Sequence, residues 1–130
     1  MDKPVPIRAT EHCDITLVDN CLRAVVGPGL ADEIQACYQD IVTECLRRNC
    51  SRLLIIGRSR YDPFFHLALR DALSAMAIAG LPAGFKLALV AGNAALIAIY
   101  DAVALEAQRR GIDAQRLTDE AKAKEWLRVA

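Results

Sequence analysis

The residue types best suited to chemistry stand together near the middle of the chain. Arg58, Ser59 and Arg60 follow a short apolar run, 53–56. Asp62 comes two residues later and can cap a helix. In parallel sheets the strand ends and helix starts form crevices that bind anions, and two guanidinium groups can hold a carboxylate or a phosphate. The alternative is a solvated surface turn in which Arg60 pairs with Asp62. This segment is therefore the first candidate for a binding or regulatory site.

His66 follows in the same segment and could act as a proton carrier. Asp62, His66 and Arg70 are four residues apart, so a helix would place them on one face. A hydrolytic site would also need a nucleophile, and the spacing brings no cysteine near this row. A row of charged side chains on a helix surface explains the same pattern. We therefore expect no catalytic residue and keep His66 as a binding residue, with a hydrolase-like site around it as the enzymatic alternative.

The cysteines and acidic residues do not form a metal-binding pattern. Five cysteines form an odd set without a C-x-x-C pair, and only two histidines accompany them. Asp14, Asp19, Asp32 and Glu33 suit turns and helix starts. The sequence also lacks the glycine-rich nucleotide-binding motifs. We therefore expect no metal and no cofactor, and we expect free, mostly buried thiols in a reducing compartment.

Length and charge limit the kind of protein that this chain can form. A chain of 130 residues suits one domain, 1–130, and a hydrophobic share of 54% favours a packed core. Lys and Arg together number 16, as do Asp and Glu, so no net charge attracts nucleic acid. The apolar region 72–91 is broken at 80–84 and by Lys86, which argues against a membrane-spanning segment. The N-terminus has no secretory pattern, and we expect a cytoplasmic protein.

The elements that position these residues begin with a hairpin. The segment 13–26 predicts two strands that turn at Asp19-Asn20, and a two-residue loop pairs Val18 with Cys21. The same register pairs Leu17 with Leu22, Ile15 with Ala24, and Cys13 with Val26 on one apolar face. The opposite face carries polar residues and suits partial contact with water.

Alternating strands and helices follow the hairpin. Apolar residues recur every three or four positions along a helix that ends near Arg48, and the runs 53–56 and 85–91 predict buried parallel strands. A short edge strand, 112–117, precedes a last helix capped by Thr118. The order β-β-α-β-α-β-α-β-α predicts an α/β fold, in which an N-terminal β-hairpin leads into β-α units. We expect a mostly parallel five-stranded sheet with four helices.

The helix over Ala94–Ala107 is apolar on almost every side. Leu96, Ile99 and Val103 form one stripe, while Ile97 and Leu105 extend the apolar surface to other faces. Such a helix is either deeply buried or part of an interface. The second alternative predicts a homodimer or a groove for another protein.

This order of elements, together with two stretches of sequence, resembles the SpoIIAA-like (STAS) superfamily. The first stretch is Lys86–Ala91 with Asn93 and a helix through Tyr100, and the second is Arg116–Leu127, which ends in Trp-Leu. The chain is most similar to the small, stand-alone bacterial members of uncharacterised function. The resemblance implies protein-protein regulation, as in antagonists of anti-sigma factors, or binding of a lipid or small apolar ligand. Neither role is catalytic.

One motif of the superfamily is absent from this chain. Antagonist members carry an Asp-Ser-Ser-Gly type motif whose serine is phosphorylated. The corresponding stretch, 57–63, places Ser59 near that position, but two arginines flank it and the acid and the following glycine are absent. We therefore expect a non-enzymatic regulatory or interaction module without the usual phospho-serine switch. Its binding residues would be Arg58, Ser59, Arg60, Asp62 and His66. A carrier of a lipid or other small apolar ligand is the alternative function.

Overall fold

The chain folds as a mixed α/β protein with a six-stranded sheet and four helices. The computed structural model describes residues 3–59, 71, 74–76 and 78–128. The strands are β1 Val5–Ala9, β2 Cys13–Val18, β3 Cys21–Val26, β4 Arg52–Gly57, β5 Lys86–Ala91 and β6 Asp113–Leu117. Three helices have described bounds, α1 Ala31–Arg47, α3 Ala94–Arg109 and α4 Glu120–Leu127. A further helix, α2, is represented by helical residues 71, 74–76, 78 and 79.

The predicted hairpin is confirmed in its turn and in its register. Asp19 and Asn20 have φ angles of 54° and 58°, as the tight turn requires. Val18 pairs with Cys21, and the outward pairs are those that the alternation of apolar residues predicts. The turn residues and the apolar face therefore specify the same register.

The sheet is more mixed than predicted, and it has one strand more. The strands lie in chain order, with β1–β2 and β2–β3 antiparallel and β3 to β6 parallel. The expectation of five mostly parallel strands missed β1. This short strand includes Pro6 and shifts register between Pro6 and Arg8, features that an edge strand tolerates. Because β1 lacks a clear apolar alternation, its pairing with β2 is what defines it as a strand.

The sheet separates two apolar clusters. The larger cluster joins one face of the sheet to α1 and α3 and to Met76 of α2. The smaller cluster lies on the other face, where Ala123 and Leu127 of α4 cover inward residues of β3, β4 and β5. Strands β4 and β5 are therefore covered on both faces, as their unbroken apolar runs predict.

The residue that caps the last helix lies one position later in the chain than predicted. Asp119, not Thr118, accepts a hydrogen bond from the Lys122 backbone N–H at 2.8 Å and caps α4. Trp126 is half-buried, and the Lys86 ammonium lies 4.9 Å from the centre of its ring. The Trp126 ring therefore helps to hold α4 against β5.

The expectation that all five cysteines are free is wrong for two of them. Cys13 on β2 and Cys37 on α1 form a disulfide, with Cα atoms 5.6 Å apart. Cys21, Cys45 and Cys50 are free and buried. The pairing depends on α1 packing against the hairpin, because 24 residues separate the two cysteines in sequence.

Among the described residues, no helix is long and apolar enough to cross a membrane.

Candidate functional site

Three loops meet where neighbouring parallel strands end. They are Gly27–Gly29 after β3, Arg58–Ser59 after β4 and Gly92–Asn93 after β5, and we call them together the edge site. In open α/β sheets this edge is where ligands and partners most often bind, because the loops and helix starts converge there. The edge site includes the first two residues of the predicted Arg58-Ser59-Arg60 cluster.

Hydrogen bonds join the three loops to one another. The Arg58 backbone N–H donates to the Val26 carbonyl at 2.7 Å, and the Gly92 N–H donates to the Gly57 carbonyl at 2.7 Å. The Asn93 side-chain amide donates to the Ser59 carbonyl at 2.9 Å. The loops therefore continue the sheet beyond its last strand residues and hold their relative positions.

Close backbone contact explains the glycine after β3. Gly27 has a φ of 83°, and a Cβ atom there would lie 2.8 Å from the Ser59 backbone and side chain. Any larger residue would push Ser59 away from β3 and would also be strained by the positive φ. Gly27 therefore allows the loops after β3 and β4 to touch.

Ser59 is buried, which does not agree with a solvated surface turn. Arg58 is exposed, but Ser59 has 0% of its surface exposed. Two buried side-chain oxygens among the described residues have no hydrogen-bond partner, and they are Ser59 Oγ and Asn93 Oδ1. Such atoms are costly to leave unpaired, so their presence at one junction marks the edge site as unusual.

The other predicted site residues fall in a part of the chain that the structure does not describe. Arg60, Asp62, His66 and Arg70 lie outside the described residues. The Arg60–Asp62 pair and the proton-carrying row around His66 therefore stay predictions.

The start of α3 is electropositive and uncapped. Asn93 occupies the cap position but its side chain makes no capping hydrogen bond, and no acidic residue lies in the first turn. Arg58 runs beside this start, since its Cγ would lie 3.3 Å from a Cβ placed on Gly92. No ion pair to Arg58 occurs among the described residues. A guanidinium and a helix N-terminus thus combine their positive potential.

His12 also reaches the edge site, a placement that no pattern in the sequence indicates. It precedes β2, which runs antiparallel to β3, so its backbone carbonyl accepts a hydrogen bond from the Gly27 N–H at 2.9 Å. Its Nε2 lies 3.0 Å from a carboxylate oxygen of Glu33 in the first turn of α1. The Glu33 carboxylate also accepts a hydrogen bond from the Leu30 N–H at 2.9 Å. The Glu33 carboxylate is therefore already engaged by these two groups.

Two exposed apolar side chains flank the edge site. Leu30, at the start of α1, is 70% exposed, and Ile97, in the first turn of α3, is 40% exposed. Further along α3, Leu105 is 49% exposed, while Leu96 and Val103 are buried. Helix α3 is thus buried on one side and presents apolar residues on another. The first side agrees with the alternative of a buried helix, and the interface stays a prediction for the second side.

A buried tyrosine pair lies beneath the edge site. The Tyr38 hydroxyl on α1 and the Tyr100 hydroxyl on α3 are 2.9 Å apart. Burial raises the pKa of Tyr38 to about 12 and raises the pKa of Tyr100 as well. The Tyr100 hydroxyl fills the space that a side chain at Gly57 would occupy. Because 62 residues separate the tyrosines, no local pattern in the sequence could reveal this pair.

A concave region lies at the opposite end of the sheet, where β5 and β6 begin. Its volume is about 420 Å³, and it is open to solvent between the segment before β5 and the loop between α3 and β6. Lys86, Arg110 and Asp113 contribute charges to its wall, beside Phe85 and Ile112.

Among the described residues, no group of three or more His, Cys, Asp or Glu side chains could hold a metal ion.

Together, the fold and the site define a mixed α/β protein with an electropositive surface at the carboxyl ends of its parallel strands. Comparison with known proteins adds no family: no family model, curated protein or solved structure matches the chain. The resemblance to the SpoIIAA-like superfamily therefore stays a prediction.

Proposed function

We propose that the chain is a non-enzymatic regulatory or protein-interaction module of the SpoIIAA-like type, and that it binds its partner at the edge site. The observation that carries this proposal is the exposure of Leu30 and Ile97 beside Arg58, which has no ion-pair partner among the described residues. Apolar anchors beside an arginine are typical of the centres of protein interfaces. A partner that covers this surface would bury both apolar side chains and Arg58 together.

The rigidity of the edge site also supports binding. Its loops are joined by the backbone bond from Arg58 to Val26 and by the side-chain bond from Asn93 to Ser59. A surface that is already ordered loses less conformational entropy when a partner binds. Most of the proposed surface is therefore ordered before a partner binds.

The burial of Ser59 supports a module without a phospho-serine switch. A kinase must reach a serine hydroxyl in an extended, accessible segment, but Ser59 is fully buried. Regulation would therefore depend on occupation of the edge site and not on modification of Ser59.

A homodimer through the Ala94–Ala107 helix is the second element of the proposal. Ile97 and Leu105 are exposed on α3, and two exposed alanines, Ala98 and Ala102, lie between them in the chain. Small residues let two helices approach closely, and apolar neighbours then bury surface between them. Since Ile97 belongs to both proposed surfaces, dimer formation and partner binding would influence each other.

The alternative function, a carrier of a lipid or other small apolar ligand, has less support. The described concave region near Lys86, Arg110 and Asp113 carries charges of both signs and is open to water. Carrier sites for apolar ligands are usually enclosed and mostly apolar. Native mass spectrometry of protein purified from its source cells tests this alternative directly, because a retained ligand adds a reproducible mass.

Quantitative partner recovery tests the interaction function. The tagged chain is compared with Leu30→Asp and Arg58→Ala, and Ile78→Asp serves as a matched control, because Ile78 is 87% exposed and belongs to neither proposed surface. We expect one set of proteins to be recovered by the wild type and by the control, and to be lost with both edge-site variants. Equal recovery by all four proteins would remove the edge site as the binding surface.

A further inference from the structure

The junction between β4 and α3 has the groups needed to bind a phosphate. Helix α3 is 16 residues long and starts without a side-chain cap or an acidic residue in its first turn. Its first backbone N–H groups, on Ala94 and Ala95, therefore remain available to an anion. The helix dipole adds a partial positive charge at the same place. By contrast, α4 is capped by Asp119, and α1 has Asp32 and Glu33 in its first turn.

Arg58 supplies the full positive charge at this junction. Its side chain passes beside Gly92, directly before the start of α3, and its guanidinium has no ion-pair partner among the described residues. A guanidinium can donate two parallel hydrogen bonds to one phosphate. The absence of a side chain at Gly92 leaves the Arg58 stem close to the helix start.

Buried polar atoms provide a second and independent observation. Ser59 is fully buried with an unpartnered hydroxyl, and its carbonyl is held by the Asn93 amide at 2.9 Å. That bond commits the Asn93 nitrogen and leaves Asn93 Oδ1 as a buried acceptor without a donor. Native proteins rarely leave two such atoms at one place, and a bound polar group is one of the explanations for them.

We propose that the edge site binds a phosphate group that carries one P–OH. Its unprotonated oxygens accept hydrogen bonds from Arg58, from the Ala94 and Ala95 N–H groups and from the Ser59 hydroxyl. Its P–OH donates to Asn93 Oδ1, an interaction that sulfate and carboxylate cannot make at neutral pH. Both buried oxygens are covered in the ligand-free chain, so binding includes a local movement of the loop after β5. The biological use of this site rests on the proposed interaction function, in which the phosphate marks the correct partner.

Titration with inorganic phosphate, followed by amide NMR at constant pH and ionic strength, tests the proposal. We expect saturable shifts at Ala94, Ala95 and Arg58, with much weaker responses to sulfate and acetate. Arg58→Ala should weaken phosphate binding by about tenfold, and Arg58→Lys should restore part of the affinity. Arg109→Ala, which removes an exposed arginine at the other end of α3, should leave the phosphate affinity unchanged.

Ser59→Ala separates a ligand-binding role from a structural one. The variant should keep its fold and lose phosphate affinity, whereas a merely structural hydroxyl would leave the titration unchanged. Shifts that do not saturate, or that saturate with the wild-type affinity in Arg58→Ala, would overturn the proposal. An equal response to sulfate would overturn the assignment to phosphate. Loss of partner recovery in Leu30→Asp without any phosphate binding would reject this inference alone, because the interaction surface would still stand.

Discussion

The Tyr38 and Tyr100 hydroxyls lie 2.9 Å apart in the core and connect α1 to α3. Each hydroxyl is buried, so each one depends on the other for its hydrogen bond. The pair also lies directly beneath Gly57, the last residue of β4, where the edge site begins. The positions of the two helices that flank the edge site are therefore coupled through a polar contact within the apolar core.

Removing both hydroxyls of the tyrosine pair should cost less than the sum of the costs of removing each one alone. Tyr38→Phe or Tyr100→Phe leaves a buried hydroxyl unpaired and should reduce the free energy of unfolding by about 1–3 kcal/mol. The double variant removes both polar groups and should be less destabilised than the sum of the single variants. Urea denaturation of the four proteins measures this coupling, and strict additivity would show that the hydroxyls do not interact.

The ion pair between Arg23 and Glu120 should make stability sensitive to acid. The Arg23 guanidinium donates to both Glu120 carboxylate oxygens, at 2.7 and 2.9 Å, and this lowers the pKa of Glu120 from 4.5 to about 2. Because the folded pKa lies below the unfolded one, the contribution is present above pH 4.5 and is lost as the pH falls toward 2.

The Glu120 contribution should be modest, because the pair is partly exposed and screened by water. We expect about 1 kcal/mol or less at neutral pH. Glu120→Gln should therefore lower the free energy of unfolding at pH 7 and flatten its decrease between pH 4.5 and 2. Denaturant unfolding across this pH range measures both effects. A wild-type-like acid dependence in Glu120→Gln would show that other carboxyl groups are responsible.

Ser59→Ala should stabilise the ligand-free protein or leave its stability unchanged. The substitution removes a buried hydroxyl that has no partner, so it relieves a desolvation cost of about 1 kcal/mol. Asn93→Ala is the matched comparison, since it removes the hydrogen bond to the Ser59 carbonyl and should lower stability. Thermal and urea unfolding report both variants, and a large loss of stability in Ser59→Ala would mean that its hydroxyl has a partner.

Thiol counting checks the disulfide between Cys13 and Cys37. The three free cysteines are buried, so the native protein should react slowly with a thiol reagent. Unfolding without a reductant should expose three thiols, and prior reduction should expose all five cysteines. Five reactive thiols without a reductant would exclude the disulfide in the purified protein.

Self-association through α3 should depend on its exposed apolar residues. Sedimentation velocity over a range of concentrations should show a wild-type dimer, and Leu105→Glu should shift it toward monomer, since a buried charge without a partner is costly. Leu30→Glu adds the same charge outside α3 and should remain dimeric. A wild type that stays monomeric at every concentration would reject the homodimer.

Much of the local structure could be predicted from the sequence. The hairpin register followed from Asp19-Asn20 and from apolar residues at alternate positions, because both features act over short distances. The central strands β4 and β5 followed from unbroken apolar runs. Strand β1 was missed because its identity depends on pairing with β2 and not on its own pattern.

Residue types and their spacing are enough to predict the alternation of strands and helices, the turn at Asp19-Asn20 and the position of Arg58 and Ser59 after a buried strand. These features depend on interactions over a few positions. The burial of Ser59, the disulfide between Cys13 and Cys37 and the contact between Tyr38 and Tyr100 are known from the folded structure alone. Each of these depends on packing between segments far apart in the chain, which local propensity does not encode.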